Sequence, residues 1–132
     1  MSYDPQIVGR YGNLVEKWAA DKFGVELDYP VVDGLKFDAT DDRGRPIDIK
    51  GSMTNGVRPT FKFWEDQHAT LSDNQGIYLL VWYRAAGREI SIVASRSVRA
   101  RDLSIDNWTN PGSTHYRSHS REAQIPAAAL RP

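Results

Sequence analysis

The sequence predicts a single α/β domain in which helices flank a central mixed β-sheet. Three observations lead to this fold class: a helical stripe near the N-terminus, a hairpin pattern in the middle and an unbroken apolar run behind it. In the stripe, apolar residues occupy positions 7, 8, 11, 14, 15 and 18, the spacing of one helix face. The chain has 132 residues, the length of one domain.

The first helix should begin at Asp4 and Pro5. Aspartate is a favoured N-cap, and proline suits the first helical position because its missing N–H is not needed there. Gly24 is the expected end of the helix, since glycine readily adopts the left-handed conformation of a C-terminal cap. The apolar and β-branched character of Val25–Tyr29 predicts a short strand, which Pro30 would interrupt.

A β-hairpin is predicted next, with arms Lys36–Asp41 and Pro46–Ser52 around the loop Asp42-Arg43-Gly44. Each arm alternates apolar and polar residues, and a three-residue loop favours glycine at its left-handed last position. This loop fixes the register of the hairpin. The predicted pairs are Asp41 with Arg45, Ala39 with Ile47, Asp38 with Asp48, and Phe37 with Ile49.

The second half of the chain predicts one more helix and two paired strands. Thr60 should cap a helix whose buried face carries Phe61, Trp64, His68 and Leu71. Residues 77–83 form a continuous apolar run, typical of a central strand covered on both faces. Residues 89–95 should pair with it in antiparallel fashion, and Ser97 should cap a short helix that extends to Leu103. We expect the core to span about 4–105 and residues 106–132 to be irregular.

Composition limits the classes of function. The chain has no cysteine, no apolar run long enough to cross a membrane and no signal-peptide pattern, so a soluble, intracellular, cytoplasmic protein is expected. It contains no glycine-rich phosphate loop or nucleotide fingerprint, so no organic cofactor is expected. Net charge is zero but unevenly distributed. Residues 1–75 hold nine Lys or Arg against 13 Asp or Glu, whereas 76–132 hold eight Arg against four acids.

The predicted hairpin gathers charged side chains on one face. Its register places Asp38 directly opposite Asp48, with Lys50 on the same face of the second arm. Opposed side chains lie about 4.5–5.5 Å apart at Cβ, where like charges repel. Two carboxylates held this close therefore favour a cation between them. The alternative is an ordinary solvated sheet face, because antiparallel sheets commonly expose one polar side to water.

These residues resemble the active-site signature of the PD-(D/E)XK nuclease superfamily. The signature places one acid, here Asp38, before an acid-x-Lys triplet, here Asp48-Ile49-Lys50, on a hairpin. A helix carrying Glu16 precedes it and a helix with Gln67 and His68 follows, an order most similar to small archaeal Holliday-junction resolvases. Two positions depart from the usual pattern: Phe37 replaces the proline before the first acid, and Asp48 replaces the commoner glutamate.

The resemblance implies a restriction-endonuclease-like core and a Mg²⁺- or Mn²⁺-dependent endonuclease that hydrolyses phosphodiester bonds in DNA. Asp38, Asp48 and the Ile49 carbonyl would hold the metal, and Lys50 would act on the attacking water or the phosphate. Glu16 would contact the metal through water, although from the sequence alone a solvent-exposed glutamate on the helix surface is the better interpretation. Gln67 and His68 are possible accessory residues, although the spacing around His68 favours a core or boundary histidine.

The arginine-rich second half predicts a surface for nucleic acid. The candidates are Arg99, Arg101, Arg117 and Arg121, of which the last two lie near the aromatic residues Trp108 and Tyr116. A solvated surface without a partner is the alternative, as is a non-catalytic module that binds nucleic acid or protein on a nuclease-like fold. A homodimer is expected, because cutting two strands needs two sites. The residues Trp64, Trp82, Tyr83 and Trp108 could supply its apolar interface.

Overall fold

A computed structural model describes residues 5–111 and 120–132 of the chain. Its helices are α1 (Pro5–Phe23) and α2 (Glu65–Asp73). The strands are β1 (Val31–Val32), β2 (Leu35–Lys36), β3 (Ala39–Thr40), β4 (Pro46–Met53), β5 (Thr60–Trp64), β6 (Ile77–Ala86), β7 (Glu89–Arg99) and β8 (Glu122–Pro126). Two short 3₁₀ helices cover Ala100–Asp102 and Ala127–Leu130.

The central sheet has four strands in the order β3-β4-β6-β7. β4 and β6 run parallel, whereas the pairs β3–β4 and β6–β7 are antiparallel. The predicted mixed sheet, its central apolar strand and the antiparallel neighbour of that strand are therefore confirmed. Residues 77–83 are all buried, as the unbroken apolar run predicts for a strand covered on both faces.

The hairpin forms around the predicted loop. Ala39 pairs with Ile47, and Gly44 adopts a φ of +77° at the end of the turn. One Asp41 carboxylate oxygen accepts hydrogen bonds from the backbone N–H groups of Arg43 and Arg45. The other accepts from Arg45 Nε at 2.6 Å. These bonds hold the turn and fix the register of β4, the strand that carries Asp48 and Lys50.

Two apolar layers cover opposite faces of the sheet. On one face, Tyr11, Val15 and Ala19 of α1 pack against Ile47, Leu79 and Val81. On the other face, Phe61, Phe63 and Leu71 pack against Tyr78, Leu80 and Trp82. Gly51 makes the first layer possible, because a Cβ there would lie 3.0 Å from Tyr83 and 3.2 Å from Val15. The sequence alternates accordingly, so Asp48 and Lys50 of β4 face the second layer.

The helix predicted from Thr60 is wrong at its start. Thr60–Trp64 is a strand paired antiparallel with β8, and α2 begins only at Glu65. Phe61 and Phe63 are buried while Lys62 between them is exposed, which is the two-residue period of a strand. The same apolar residues fit helical spacing as well. Pairing with a strand about 60 residues later decided between the two.

Several boundaries also differ from the predictions. The segment 25–29 is not a strand, and only Glu26 bridges to Thr40. β7 continues to Arg99, so Ser97 caps no helix. The segment 106–132, expected to be irregular, contains β8 and a 3₁₀ helix that buries Ala127 and Leu130. Short edge pairing of this kind is specified by distant partners rather than by local pattern.

The aromatic residues expected at a dimer interface lie inside the molecule. Trp64, Trp82 and Tyr83 are buried, and Trp108 packs against the apolar layer of β5 and α2. Trp82 Nε1 donates to the Ala127 carbonyl at 2.9 Å, which satisfies its one polar group. The prediction that these aromatic residues supply a dimer interface is therefore wrong. Within the part of the chain that the structure describes, no helix is long and apolar enough to cross a membrane.

Candidate active site

Asp48 and Lys50 are presented by the second strand of the sheet. They are two residues apart, so both side chains leave β4 on the same face. Asp48 is only 6% exposed, and Lys50 Nζ lies 3.0 Å from its Oδ2 atom. That oxygen is buried and has no hydrogen bond from the residues that the structure describes. The ammonium group of Lys50 is therefore the charge partner of this buried oxygen, although their contact is an ion pair without hydrogen-bond geometry.

Asp38 lies directly before β3 and turns its side chain towards β4. Its Oδ2 atom accepts a hydrogen bond from the Ile49 N–H at 2.7 Å. This bond ends the backbone ladder, which continues only as far as the bond from Asp38 N–H to the Ile47 carbonyl. The predicted pair of Phe37 and Ile49 is therefore wrong. Phe37 instead packs in the layer of Tyr78 and Leu80, on the other face from Ile47.

The break in the ladder also bears on the Ile49 carbonyl. In a β-strand the N–H and C=O of one residue point towards the same neighbouring strand. Because the Ile49 N–H points to Asp38, its carbonyl is directed to the same side, beyond the end of β3. Two carboxylates and one carbonyl, all oxygen donors, thus lie along one edge of β4. Oxygen donors are the ligands that Mg²⁺ and Mn²⁺ prefer.

Burial and mutual repulsion dominate the electrostatics of the aspartate pair. Burial raises the pKa of the Asp38 carboxyl to about 8, and the negative charge of Asp48 adds to the effect. The Ile49 N–H opposes this shift by stabilising the carboxylate form. Ionisation of Asp38 beside Asp48 is therefore unfavourable in the folded protein.

Glu16 of α1 is brought to the same place. Its side chain is half-buried, and Tyr29 Oη donates to its Oε1 atom at 3.4 Å. Burial raises the pKa of Glu16, opposed by hydrogen bonds that its carboxylate accepts from Tyr29 and Asp38 and reinforced by the Asp48 charge. The alternative of a fully solvated glutamate does not describe this position. Tyr29, with a φ of +49°, was not anticipated as a neighbour.

The carboxylates of Glu16, Asp38 and Asp48 do not form a complete set of metal ligands. Across residues 5–111 and 120–132, no group of three His, Asp or Glu side chains is gathered closely enough to hold a metal ion. The donor set that fits a divalent ion is therefore the pair Asp38 and Asp48 with the Ile49 carbonyl. Glu16 lies near this pair and within hydrogen-bond reach of Tyr29.

Two aromatic rings surround the Lys50 ammonium group. Its Nζ atom lies 5.4 Å from the centroid of Phe63 and 6.0 Å from that of Tyr78. Phe63 belongs to β5 and Tyr78 to β6, so two strands form one wall around the cation. Aromatic faces attract cations at such distances. The alternation of Phe61 and Phe63 was the signal that could have revealed this strand, and hence this contact.

His68 stands behind Tyr78 rather than beside the carboxylates. Its Nδ1 atom lies 2.9 Å from Tyr78 Oη, and the two rings stack with centroids 5.7 Å apart. Burial lowers the pKa of His68, and the backbone of Leu103 partly opposes this shift. A neutral boundary histidine results. The half-buried Gln67 makes no side-chain hydrogen bond within the described parts of the chain.

The predicted nucleic-acid residues that the structure describes lie on different parts of the fold. Arg121 is paired with Glu65, whose Oε1 atom accepts from Arg121 Nε at 2.7 Å. Arg99 shares its row of the sheet with Ile77 and Ile47, so it lies on the face opposite Asp48. Arg101 is exposed in the 3₁₀ helix that follows β7. Arg117 and Tyr116 lie outside the described residues.

Comparison with known proteins gives one result. The family model of the PD-(D/E)XK nuclease superfamily domain matches residues 1–130, nearly the whole chain. No curated protein and no solved structure matches significantly. The matched range includes Glu16, Asp38, Asp48, Lys50 and the two strands β5 and β8.

Proposed function

The chain belongs to the PD-(D/E)XK nuclease superfamily, and from this premise we propose that it is a divalent-metal-dependent DNA endonuclease. One observation carries the proposal: Asp38, Asp48 and Lys50 converge at the edge of one strand, where one ammonium group faces a buried carboxylate and a second carboxyl lies beside it. Buried charge that is not fully paired costs free energy in the folded protein. Such an arrangement persists where a ligand makes use of it.

Asp38, Asp48 and the Ile49 carbonyl would hold Mg²⁺ or Mn²⁺. When bound, such an ion lowers the pKa of a coordinated water and offsets charge on the scissile phosphate. The two carboxylates orient the ion. Glu16 would accept a proton or a hydrogen bond from a water near Asp38, and the raised pKa that burial gives its carboxyl supports this role.

If Asp48 binds a metal ion, its carboxylate would no longer neutralise the Lys50 ammonium group. Lys50 would then supply a positive charge at the site. Its ammonium group is held by Asp48 at 3.0 Å and by the rings of Phe63 and Tyr78. An ammonium fixed in this way stabilises negative charge on phosphate oxygens as the bond to the leaving oxygen breaks. Because it is already in place before the reaction, little reorganisation is needed.

The competing function is a binding module that grips nucleic acid or protein without cutting. The convergence of buried carboxylates argues against it, because carboxylates repel a phosphate backbone unless a cation lies between them. A binder would gain nothing from Asp38 and Asp48, whereas Lys50 alone would serve it.

Incubation with supercoiled plasmid and Mg²⁺ or Mn²⁺, with an EDTA control, tests the proposal. Cleavage by the wild type should require metal and should vanish in Asp48→Asn. The matched control is Asp21→Asn, an exposed aspartate on α1. A wild-type protein that binds DNA but leaves it intact under all conditions would establish the binding module instead.

Lys50→Ala tests the role of the ammonium group. The cleavage rate should fall by about 10²-fold or more, the typical effect of removing one preorganised electrostatic group, while DNA affinity changes little. Lys62→Ala is the control, since Lys62 is exposed and 3.7 Å from Glu122. An equal fall in rate and affinity for Lys50→Ala would mean that Lys50 only binds phosphate.

As a narrower subtype of this function, we propose a homodimer that is selective for four-way junctions. Both features rest on the order of motifs and on the need for two sites to cut two strands. The test compares four-way-junction and linear DNA as substrates and measures the mass in solution by sedimentation. A monomer that cuts linear DNA as fast as junctions would refute this subtype and leave the nuclease proposal intact.

A further inference from the structure

One end of the sheet carries arginines that no part of the proposed site uses. Arg84 and Arg88 lie at the turn between β6 and β7, and Arg58 lies in the loop after β4. All three side chains are exposed, and none forms an ion pair with any residue in the described ranges. Glu89 follows Arg88 directly, so three arginines against one glutamate leave this group of residues with a net positive charge.

The loop that carries Arg58 is firmly attached to β6. The Asn55 side chain donates to the Ala85 carbonyl at 3.0 Å and accepts from the Ala85 N–H at 3.1 Å. Thr54 N–H donates to the Tyr83 carbonyl at 2.7 Å. This attachment holds the start of the loop at the end of β6, and Val57 and Arg58 follow Asn55 by two and three residues. Val57 is 98% exposed, so the attached loop presents an apolar tip to solvent.

The position of Arg84 relates this end to the candidate active site. Leu80 is the cross-strand partner of Lys50, and Arg84 follows four residues later on the same face of β6. At about 3.3 Å per residue, the two sites are about 13 Å apart along the strand direction. A nucleic acid strand carries one phosphate per about 3.4 Å of axial rise, so one duplex could reach both places.

We propose that Val57, Arg58, Arg84 and Arg88, here called the basic end surface, bind the backbone of the nucleic acid that enters the Asp38–Asp48 site. The arginines pair with phosphates beyond the scissile bond, and Val57 contacts the sugars or base edges. The inference rests on the proposed function for its substrate. It concerns a different surface from Arg99 and Arg101, which lie at the other end of β7.

The experiment measures equilibrium binding to a fluorescent DNA duplex in EDTA, where no cleavage occurs, at several salt concentrations. The variant Arg58→Gln/Arg84→Gln/Arg88→Gln should lower affinity about tenfold or more near 0.1 M salt. It should also reduce the slope of log affinity against log salt by about 2.7, since each lost phosphate contact removes about 0.9. Circular dichroism checks the fold, which three exposed and unpaired side chains should not affect.

The matched control, Lys17→Gln/Lys22→Gln/Arg131→Gln, removes three exposed positive charges elsewhere and should leave the slope nearly unchanged. Val57→Ala should weaken binding at an unchanged slope, because an apolar contact releases no counterions; full affinity would exclude Val57 from the surface. Equal losses in both triple variants, or wild-type protein that binds no DNA, would overturn the inference. Cleavage by the wild type is measured in a separate assay. If the wild type cuts DNA but the arginine triple variant keeps the wild-type salt slope, the basic end surface is refuted and the proposed nuclease function is not.

Discussion

At the scale of single residues, Asp38 and Asp48 play unequal parts in the folded protein. Asp48 faces a lysine, whereas Asp38 faces a backbone N–H and the negative charge of Asp48. Without metal, the free energy of the folded protein is lower when one of the two carboxyls is protonated. Burial raises the pKa of Asp38 to about 8, so Asp38 stays protonated to a higher pH than a free aspartic acid does.

The free energy of unfolding of the metal-free protein should therefore depend on pH. In the unfolded chain Asp38 titrates near 3.8, and in the folded protein near 8. Folding favours the protonated form, so the full stability from this group is present below pH 4 and is lost as pH rises towards 8. Thermal unfolding in EDTA should give a melting temperature that falls across this range.

Asp38→Asn should flatten that fall and should be more stable than wild type near pH 8. The exposed Asp42 serves as the control position, and Asp42→Asn should retain the wild-type pH profile. A wild-type melting temperature that stays constant or rises between pH 5 and pH 8 would contradict the assignment of the retained proton to Asp38.

At the scale of elements, β5 connects the core to the site. Phe61 and Phe63 are both fully buried on this strand, but they face different partners. Phe61 packs edge-to-face on Trp82 at 5.0 Å, whereas Phe63 packs on Tyr78 and also faces the Lys50 ammonium. The strand thus offers two equivalent core positions, of which only one touches the candidate site.

Phe63→Leu and Phe61→Leu should each lower the free energy of unfolding by roughly 1–3 kcal/mol, through lost apolar contact and a small cavity. Only Phe63→Leu should also reduce the cleavage rate of the remaining folded protein, because it loosens Lys50. Chemical denaturation and plasmid cleavage measure the two effects. If both variants cleave DNA at the same rate when the same fraction of each is folded, the Phe63 ring does not position Lys50.

The contact of α1 with β4 depends on one glycine. A Cβ at Gly51 would meet Tyr83 at 3.0 Å and Val15 at 3.2 Å, so Gly51→Ala should push α1 away from the sheet. We expect a loss of about 1–3 kcal/mol and slower cleavage, since Glu16 moves with α1. Gly12→Ala is the control, because nothing lies within 4 Å and alanine favours helix by up to about 1 kcal/mol. A Gly51→Ala protein as stable as wild type would contradict this packing.

At the scale of the whole molecule, charge is arranged by region. The acidic pair lies at one edge of the sheet, and the unpaired arginines of the basic end surface lie where β4 and β6 end. The tryptophans and Tyr83, in contrast, serve the two apolar layers and are not spread over the outside. Zero net charge therefore does not argue against a polyanionic substrate, because the distribution matters more than the sum.

Binding of a divalent ion should stabilise the whole chain. At ten times its dissociation constant, Mn²⁺ should add about 1.4 kcal/mol to the free energy of unfolding, because it binds the folded state alone. The melting temperature should rise for wild type and stay unchanged for Asp38→Asn/Asp48→Asn. A rise of equal size in this double variant would locate the bound ion elsewhere.

The sequence by itself determined the mixed sheet, α1, the hairpin register at Ala39 and Ile47, and the grouping of Asp48 with Lys50. These features follow from local periodicity, from Gly44 in the turn and from the alternation of a strand. Only the tertiary structure decided that Thr60–Trp64 is a strand, because its partner Glu122–Pro126 lies far along the chain. It also decided that Phe37 leaves the hairpin face and that Glu16 approaches Asp38, because packing and burial act between distant segments.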